Sequence, residues 1–284
     1  MNIDMIRAAA KRIDGFAQRT PLLTSRFLDA IAGRRVWVKP ECLQHTGSFK
    51  FRGAYSALSA MDEKTRACGV IAFSSGNHAQ GVALAAKMHE IGARLSEERG
   101  LTLVKPFDDP QVIAGQGTCG LEIAEDANAL GIKNADVIVC CGGGGLTSGI
   151  ALALEADAPT LRVRPAEPAG FDDVARSLRA GKFERNPSLS GNICDAIITP
   201  QAGDLTWPHL HRLCGPGLVV SEDEVLDAMA QAFLRLKVVA EPGGAAALAA
   251  ALSRKDEIES EDVIVTISGG NVDPAMFARA LERL

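Results

Sequence analysis

The fold is decided by ADVIVCCGGGGLTSGIALALEA, residues 135–156. Its apolar run ends in four glycines and passes into a stretch rich in alanine and leucine, which predicts a buried strand, a turn and a helix. Four consecutive glycines leave backbone amides unshielded at the positive end of the helix dipole, where a phosphate can approach closely. The spacing matches neither GxGxxG nor GxxxxGK[ST] of nucleotide binders. The predicted phosphate loop is the motif Gly142-Gly143-Gly144-Gly145-Leu146-Thr147-Ser148-Gly149.

Two other segments repeat the pattern of an apolar run, a glycine-rich or polar turn and a helix-like stretch. They are GVIAFSSGNHAQGVALAAK (69–87) and DVIVTISGGNVDPAMFARALERL (262–284). Such alternation predicts an α/β fold with a mostly parallel sheet covered by helices on both faces. Ligands of such folds bind beyond the carboxyl ends of the strands, where these turns lie.

Composition excludes several classes of protein. With 284 residues, 47% of them hydrophobic, the chain can bury a sizeable core, and its net charge of −5 leaves no basic field for nucleic acid. The N-terminal stretch mixes charges into its apolar residues, unlike a signal peptide or a membrane span, so we expect a cytoplasmic protein. The seven cysteines show no metal-ligand spacing and are expected to be reduced thiols.

Lys50 stands in the motif GSFKFRGA (47–54), after the strand-like stretch VWVKPE (36–41). A lysine beside small and aromatic residues can lie in a partly desolvated pocket, where its pKa falls and its amine becomes a competent nucleophile toward a carbonyl. Taken by itself, the motif is a weak signal, because a lysine is far more often a solvated surface residue.

The motif SSGNH (74–78) lies between a predicted strand and a helix of small residues. Backbone amides and hydroxyl groups at a helix start form an anion site suited to a carboxylate. The predicted substrate-binding residues are therefore Ser74, Ser75, Asn77 and His78. The alternative is a plain N-cap that only stabilises the helix.

Ser268 opens the motif SGGN (268–271) directly after the strand-like DVIVTI. A serine hydroxyl at the carboxyl end of a strand can hydrogen-bond a heterocyclic nitrogen without protonating it. A serine that caps the next helix is the alternative.

Five motifs, GSFKFRGA, SSGNHAQG, GGGGLTSG, EPGGAAAL and SGGN, occur in this order. Together they resemble the serine/threonine dehydratase and serine racemase family of fold-type II pyridoxal-5′-phosphate (PLP) enzymes. The resemblance runs from about Thr20 to Asp273, nearly the whole chain. It implies a tryptophan synthase β-like fold, with a large domain built on a twisted, mostly parallel sheet, a smaller mobile domain, and assembly as a homodimer.

The resemblance also implies a role for each cofactor-binding residue. Lys50 would bond covalently to PLP, and Phe49 would pack on its pyridine ring. Asn77 would bind the ring hydroxyl, residues 142–146 would hold the phosphate, and Ser268 would meet the ring nitrogen.

The implied reaction is dehydration and deamination of L-threonine or L-serine to a 2-oxo acid and ammonia. Lys50 would act as the base on one face of the substrate, and Ser75 would lie on the opposite face, where protonation gives racemisation. The alternatives are 3-hydroxyaspartate as substrate and racemisation of serine or aspartate. A PLP-binding protein without turnover is an alternative of another class, whereas a nucleotide-dependent oxidoreductase is disfavoured by the missing GxGxxG.

A further segment, EPAGFDD (167–173), is similar to the divalent-cation loop of many members of this family. By that resemblance the ligands would be Glu167, the carbonyl of Phe171 and Asp173. Hard oxygen donors of this kind suit Mg²⁺, with Ca²⁺ or Mn²⁺ as alternatives. Without the resemblance, a solvated acidic turn would be the simpler interpretation.

The chain departs from the family in GVALAAKMHEIGARLSEERG (81–100), where a small, apolar half adjoins a charged half. Family members carry strand–helix units of the small domain here, roughly 40 residues by the usual size of such units. We therefore predict that a segment is missing between about residues 87 and 95. The alternative is one long helix that leaves the core for solvent. The large domain is predicted at 1–68 and 109–284, and a remnant of the small domain at 69–108. The chain is expected to be of the short catabolic type, without feedback inhibition by isoleucine.

Overall fold

The computed structural model of the chain describes residues 1–72, 76–88 and 102–284. Ser74 and Ser75, two of the predicted site residues, lie outside the described residues. Most of the predicted junction between about 87 and 95 lies outside them as well.

The main sheet has six strands in the order β1-β2-β8-β5-β6-β7. Strand β1 pairs with β2 in antiparallel fashion, and the other neighbours are parallel. The strands are β1 (Leu23–Thr24), β2 (Arg35–Pro40), β5 (Ala135–Cys140), β6 (Leu161–Pro168), β7 (Leu218–Val220) and β8 (Asp262–Ile267).

Strands β5 and β8 lie at the centre of this sheet, and every residue in both is buried. Continuous apolar strands of this kind require helices on both faces of the sheet, as the sequence predicts. The two strands run parallel in register, with Ile138 opposite Val265. The glycine-rich turn after β5 and Ser268 after β8 therefore leave the sheet at the same edge.

Helices cover both faces of the sheet. One apolar cluster joins α2, α10, α11 and α12 to one face, and a second joins α6 and α7 to the other. The helices are α1 (Ile3–Ile13), α2 (Arg26–Ala32), α3 (Lys50–Ala60), α4 (Glu63–Cys68), α5 (Asn77–Met88), α6 (Pro110–Ala129), α7 (Gly145–Asp157), α8 (Asp173–Ala180), α9 (Trp207–Leu213), α10 (Glu222–Gln231), α11 (Pro242–Ser253) and α12 (Pro274–Leu281). Within the described residues, every helix is too short or too polar to traverse a lipid bilayer.

A second, two-stranded sheet consists of β3 (Val70–Ile71) and β4 (Thr102–Leu103), which run parallel. Helix α5 follows β3, and its buried residues Val82 and Ala85 pack in one apolar cluster with Phe51 and Leu58 of α3. The small sheet lies inside residues 69–108, the predicted remnant of the small domain. The domain boundaries themselves stay a prediction.

Candidate active site

A cavity of about 630 Å³ lies beyond the carboxyl ends of β5 and β8. Its size falls in the range of small-molecule and cofactor sites. All the predicted cofactor and substrate residues within the described part of the chain line this one cavity, although they come from four separate motifs. They are Phe49, Lys50, Asn77, His78, Gly142, Gly143, Gly144, Gly145, Leu146 and Ser268.

Lys50 begins α3 and is held at the cavity wall by its neighbours. The backbone amide of Phe49 donates to the carbonyl of Ser268 (3.1 Å), which ties the lysine motif to the end of β8. The Lys50 Nζ donates to the carbonyl of Pro106 (2.8 Å) and lies 5.2 Å from the centre of the Phe49 ring. Burial lowers the pKa of Lys50 to about 8, although the carboxylate of Glu241 acts in the opposite direction. The amine is therefore far closer to neutrality than a surface lysine.

The glycine-rich turn forms a cradle at the N-terminus of α7. Gly144 is the N-cap residue, with a φ of 87°, a left-handed conformation that favours glycine. A side chain at position 143 would collide with the ring of Phe107, and one at position 142 with the backbone of Ile197. The glycines thus keep the amides of the first turn open to a ligand at the positive end of the helix.

Asn77, the first residue of α5, is the centre of a hydrogen-bond chain. Its Nδ2 donates to Glu241 Oε1 (2.6 Å), and its Oδ1 accepts from Asn271 Nδ2 (2.7 Å). The chain joins α5, the start of α11 and the turn after β8. It holds these three parts of the cavity wall together.

His78 is almost fully buried, and its ring contacts the residue that follows β4. Because a carbonyl can only accept, His78 Nε2 carries the hydrogen that it donates to the carbonyl of Val104 (2.8 Å). Burial, followed by the charge of Lys50, lowers the pKa of His78 to about 4. The imidazole is neutral near pH 7 and brings no positive charge to a substrate carboxylate.

These features fit PLP. The wall offers an amine of lowered pKa, open amides at a helix N-terminus for a phosphate, and the hydroxyl of Ser268 at the neighbouring strand end. Lys50 would hold the aldehyde carbon, the cradle the phosphate, and Ser268 the ring nitrogen. The fit rests on residues from strands and helices that meet only in the folded chain.

A family model described as "Pyridoxal-phosphate dependent enzyme" matches residues 13–95 and 88–270. The chain belongs to this family. The enzyme is 38% identical to an L-threo-3-hydroxyaspartate ammonia-lyase of Pseudomonas sp, over 98% of each chain. It is also 38% identical to a serine racemase of Oryza sativa subsp. indica, with 99% of this chain and 94% of the racemase covered. The crystal structure of a threonine deaminase from T.th. superimposes with a TM-score of 0.90 at 43% identity, covering 96% of this chain and 99% of that one.

These similarities confirm the predicted family, the fold-type II α/β class, PLP as cofactor and an enzyme of the ammonia-lyase and racemase group. The alignment with the hydroxyaspartate ammonia-lyase extends over 317 positions, more than the 284 residues of this chain, and so contains gaps on the side of this enzyme. The two family matches overlap between residues 88 and 95.

Glu241 is a residue of the cavity that opens the motif EPGGAAAL (241–248), and the sequence predicts no role for it. It precedes the helix PGGAAALAAALS, is 6% exposed, and lines the cavity together with Lys50 and Asn77. Burial raises the pKa of Glu241 to about 7, against the hydrogen bond from Asn77, which lowers it. The available signal was a lone acidic residue at the start of a wholly apolar helix, because such a residue is buried with the helix and needs a polar partner.

The predicted cation ligands lie together at the end of β6 and the start of α8. Glu167 accepts hydrogen bonds from the backbone amides of Val174 (3.0 Å) and Ala175 (2.7 Å), and Asp173 Oδ1 accepts from Asn186 (2.6 Å). Asp173 Oδ2 is buried and has no partner among the described residues.

Both carboxyl groups of this loop are buried. Burial raises the pKa of Asp173 to about 6, and burial together with the charge of Asp173 raises the pKa of Glu167 well above its usual range. In the described part of the chain, no cluster of three or more His, Cys, Asp or Glu side chains has a metal-binding arrangement. The predicted set has only two such side chains, with a carbonyl as the third ligand, so the cation stays a prediction.

Proposed function

We propose that the enzyme is an ammonia-lyase that dehydrates and deaminates a small β-hydroxy amino acid, with release of a 2-oxo acid and ammonia. The observation that carries the proposal is the Lys50 amine, with its lowered pKa, facing the same cavity as the glycine cradle. Relatives of this chain include an L-threo-3-hydroxyaspartate ammonia-lyase and a threonine deaminase.

Bound PLP supplies an electron sink that acidifies the α-proton of the substrate. Lys50 Nζ then takes up that proton, which a neutral amine with a pKa of about 8 can do near neutral pH. Glu241, with a pKa of about 7, is a second group that can hold a proton in the same cavity. Ser268 would hold the ring nitrogen through an uncharged hydroxyl and so would leave the ring unprotonated, which would favour elimination over transamination.

The substrate carboxylate would bind at the start of α5. Asn77 begins this helix, and its backbone lies at the positive end of the helix dipole. Ser74 and Ser75, which precede it in the sequence, are proposed to complete the anion site. Ser75 is also proposed as the acid on the face opposite Lys50. Accordingly, Ser75→Ala should reduce racemisation of L-serine far more than elimination from it, and equal losses would instead assign Ser75 to carboxylate binding alone.

L-Threonine and L-serine are the proposed substrates. A specific observation also favours 3-hydroxyaspartate: Lys105, which follows β4, lines the same cavity as Lys50 and adds a second amine to its wall. The extra carboxylate of 3-hydroxyaspartate would pair with such a cation. Lys105→Gln should therefore lower kcat/KM for L-threo-3-hydroxyaspartate and leave that for L-threonine nearly unchanged.

The test of the function is a comparison of substrates with the purified holoenzyme. Ammonia and the 2-oxo acid are measured from L-threonine, L-serine and L-threo-3-hydroxyaspartate, and D-serine from L-serine. Lys50→Ala is the control and should lose all four activities. A holoenzyme that retains bound PLP but turns over none of these substrates would contradict the proposal and support a binding protein.

We also propose that Glu167, the carbonyl of Phe171 and Asp173 bind Mg²⁺, or Ca²⁺ or Mn²⁺ in its place. The support is a pair of buried carboxyl groups, one of which leaves an oxygen without a partner among the residues described. A cation there would relieve the cost of burying both charges. A homodimer in the cytoplasm is proposed from the family resemblance and from the composition.

A further inference from the structure

Gln116 of α6 is a buried polar side chain that lies outside the five sequence motifs. It is fully buried and lines the cavity. Neither its Oε1 nor its Nε2 has a hydrogen-bond partner in residues 1–72, 76–88 and 102–284. A buried amide without partners destabilises a protein, so such a group calls for a ligand that completes it.

The packing of α6 prevents Gln116 from turning to solvent. A Cβ at the preceding glycine, Gly115, would overlap the backbone of Arg52 in α3. A Cβ at the following glycine, Gly117, would lie 2.9 Å from the carbonyl oxygen of Gly149 in α7. The two glycines thus let α3 and α7 approach α6 closely on either side of Gln116. The carboxamide of Gln116 is therefore directed into the cavity.

That direction leads to the glycine cradle. A Cβ at Gly145, the first residue of α7, would lie 2.7 Å from Gln116 Oε1. The carboxamide therefore occupies the space that any side chain at position 145 would take. It lies beside the backbone amides of the helix start, which form an anion site.

We propose that Gln116 donates a hydrogen bond from its Nε2 to the phosphate group of PLP, with the carboxamide rotated by about 180° so that Nε2 takes the position of Oε1 beside Gly145. It would be a side-chain phosphate ligand, in addition to the backbone amides of residues 142–146. The inference rests on PLP as the cofactor and not on the reaction that follows, so it stands or falls apart from the ammonia-lyase activity.

The test compares two cofactor forms that differ only in the phosphate. Full-length protein is freed of PLP, checked for native circular dichroism, and titrated with PLP and with pyridoxal by absorbance. Gln116→Leu keeps the bulk and removes the donor, and Gln116→Glu adds a charge that repels phosphate. Gln231→Leu is the matched control, because Gln231 ends α10 and is not one of the residues that line the cavity.

Loss of one hydrogen bond to a charged group should weaken PLP binding about tenfold or more in Gln116→Leu. Gln116→Glu should weaken PLP binding further, while the affinity for pyridoxal stays within about twofold of wild type in both variants. Gln231→Leu should change the affinity for neither ligand. Inorganic phosphate should raise the melting temperature of the cofactor-free wild type and not that of Gln116→Glu. Equal losses for PLP and pyridoxal, or no loss for either, would overturn the proposal in favour of a packing role or a bound water.

Discussion

Lys50 should react with the aldehyde of PLP at a rate that rises with pH around a midpoint near 8, because burial lowers the pKa of Lys50 to about that value. At pH 7.4 about 20% of an amine with this pKa is neutral, against ~0.1% of a lysine with an ordinary pKa of ~10.4. Lys50 should therefore react on the order of 100-fold faster than an exposed lysine of equal intrinsic nucleophilicity.

The assay mixes cofactor-free enzyme with PLP for a short time, quenches with borohydride, and locates the pyridoxyl group by peptide mapping. Repeated from about pH 6 to about pH 10, it gives the midpoint of labelling. Lys39 is an internal control, because its ammonium is fully buried in an ion pair with Glu122 (2.6 Å) and should not be labelled. A label at Lys39, or a midpoint near that of an ordinary lysine, would refute the reasoning.

Glu241→Gln sharpens this prediction. The carboxylate of Glu241 raises the pKa of Lys50, so its removal should lower the labelling midpoint below about 8 and increase the neutral fraction at neutral pH. A midpoint that stays in place or rises would show that the two groups do not interact. The isosteric amide keeps the volume of the side chain, so a change in the midpoint reports charge.

Three further predictions concern other parts of the enzyme. If the cation is present at about 100 times its Kd, chelation should lower the melting temperature by about 5–10 °C, and added Mg²⁺ should restore it. In Glu167→Gln, neither chelation nor Mg²⁺ should change the melting temperature. Asn77→Ala should raise the pKa of Glu241 above about 7, because the hydrogen bond from Asn77 holds that pKa down. The acid limb of the pH profile of kcat/KM should therefore move to higher pH. Intact-protein mass spectrometry of the natural product should exceed 29.9 kDa by the mass of ~40 residues if a segment between about 87 and 95 is missing, whereas a mass equal to 29.9 kDa would show a true deletion.

Two parts of the site that could be predicted from sequence lie at turns after buried strands. The residues 142–146 and Ser268 follow strands β5 and β8, whose continuous apolar runs are visible in the sequence. Parallel strands place such turns at one edge of the sheet, so local patterns sufficed to predict a shared site.

Gln116 and Glu241 could not be predicted in this way. Gln116 is one of several polar residues in α6, a helix of 20 residues. Its position beside Gly145 depends on the close packing of three helices. The pKa of Glu241 is raised because the fold buries the carboxyl group, and the hydrogen bond that holds this pKa down comes from Asn77, which is 164 residues away in the sequence. No periodicity or spacing encodes contacts of that kind.

The same long-range packing brings the pKa values of Lys50 and Glu241 close to neutral pH. Burial lowers the pKa of Lys50 to about 8 and raises that of Glu241 to about 7, so the two values lie about one unit apart. Proton transfer between this amine and this carboxyl group would therefore cost much less than it does in water. In water the same transfer would span the ~6 units between an ordinary lysine and an ordinary glutamate. Asn77 helps to set this balance, because its hydrogen bond to Glu241 keeps the pKa of the carboxyl group from rising further toward that of the amine.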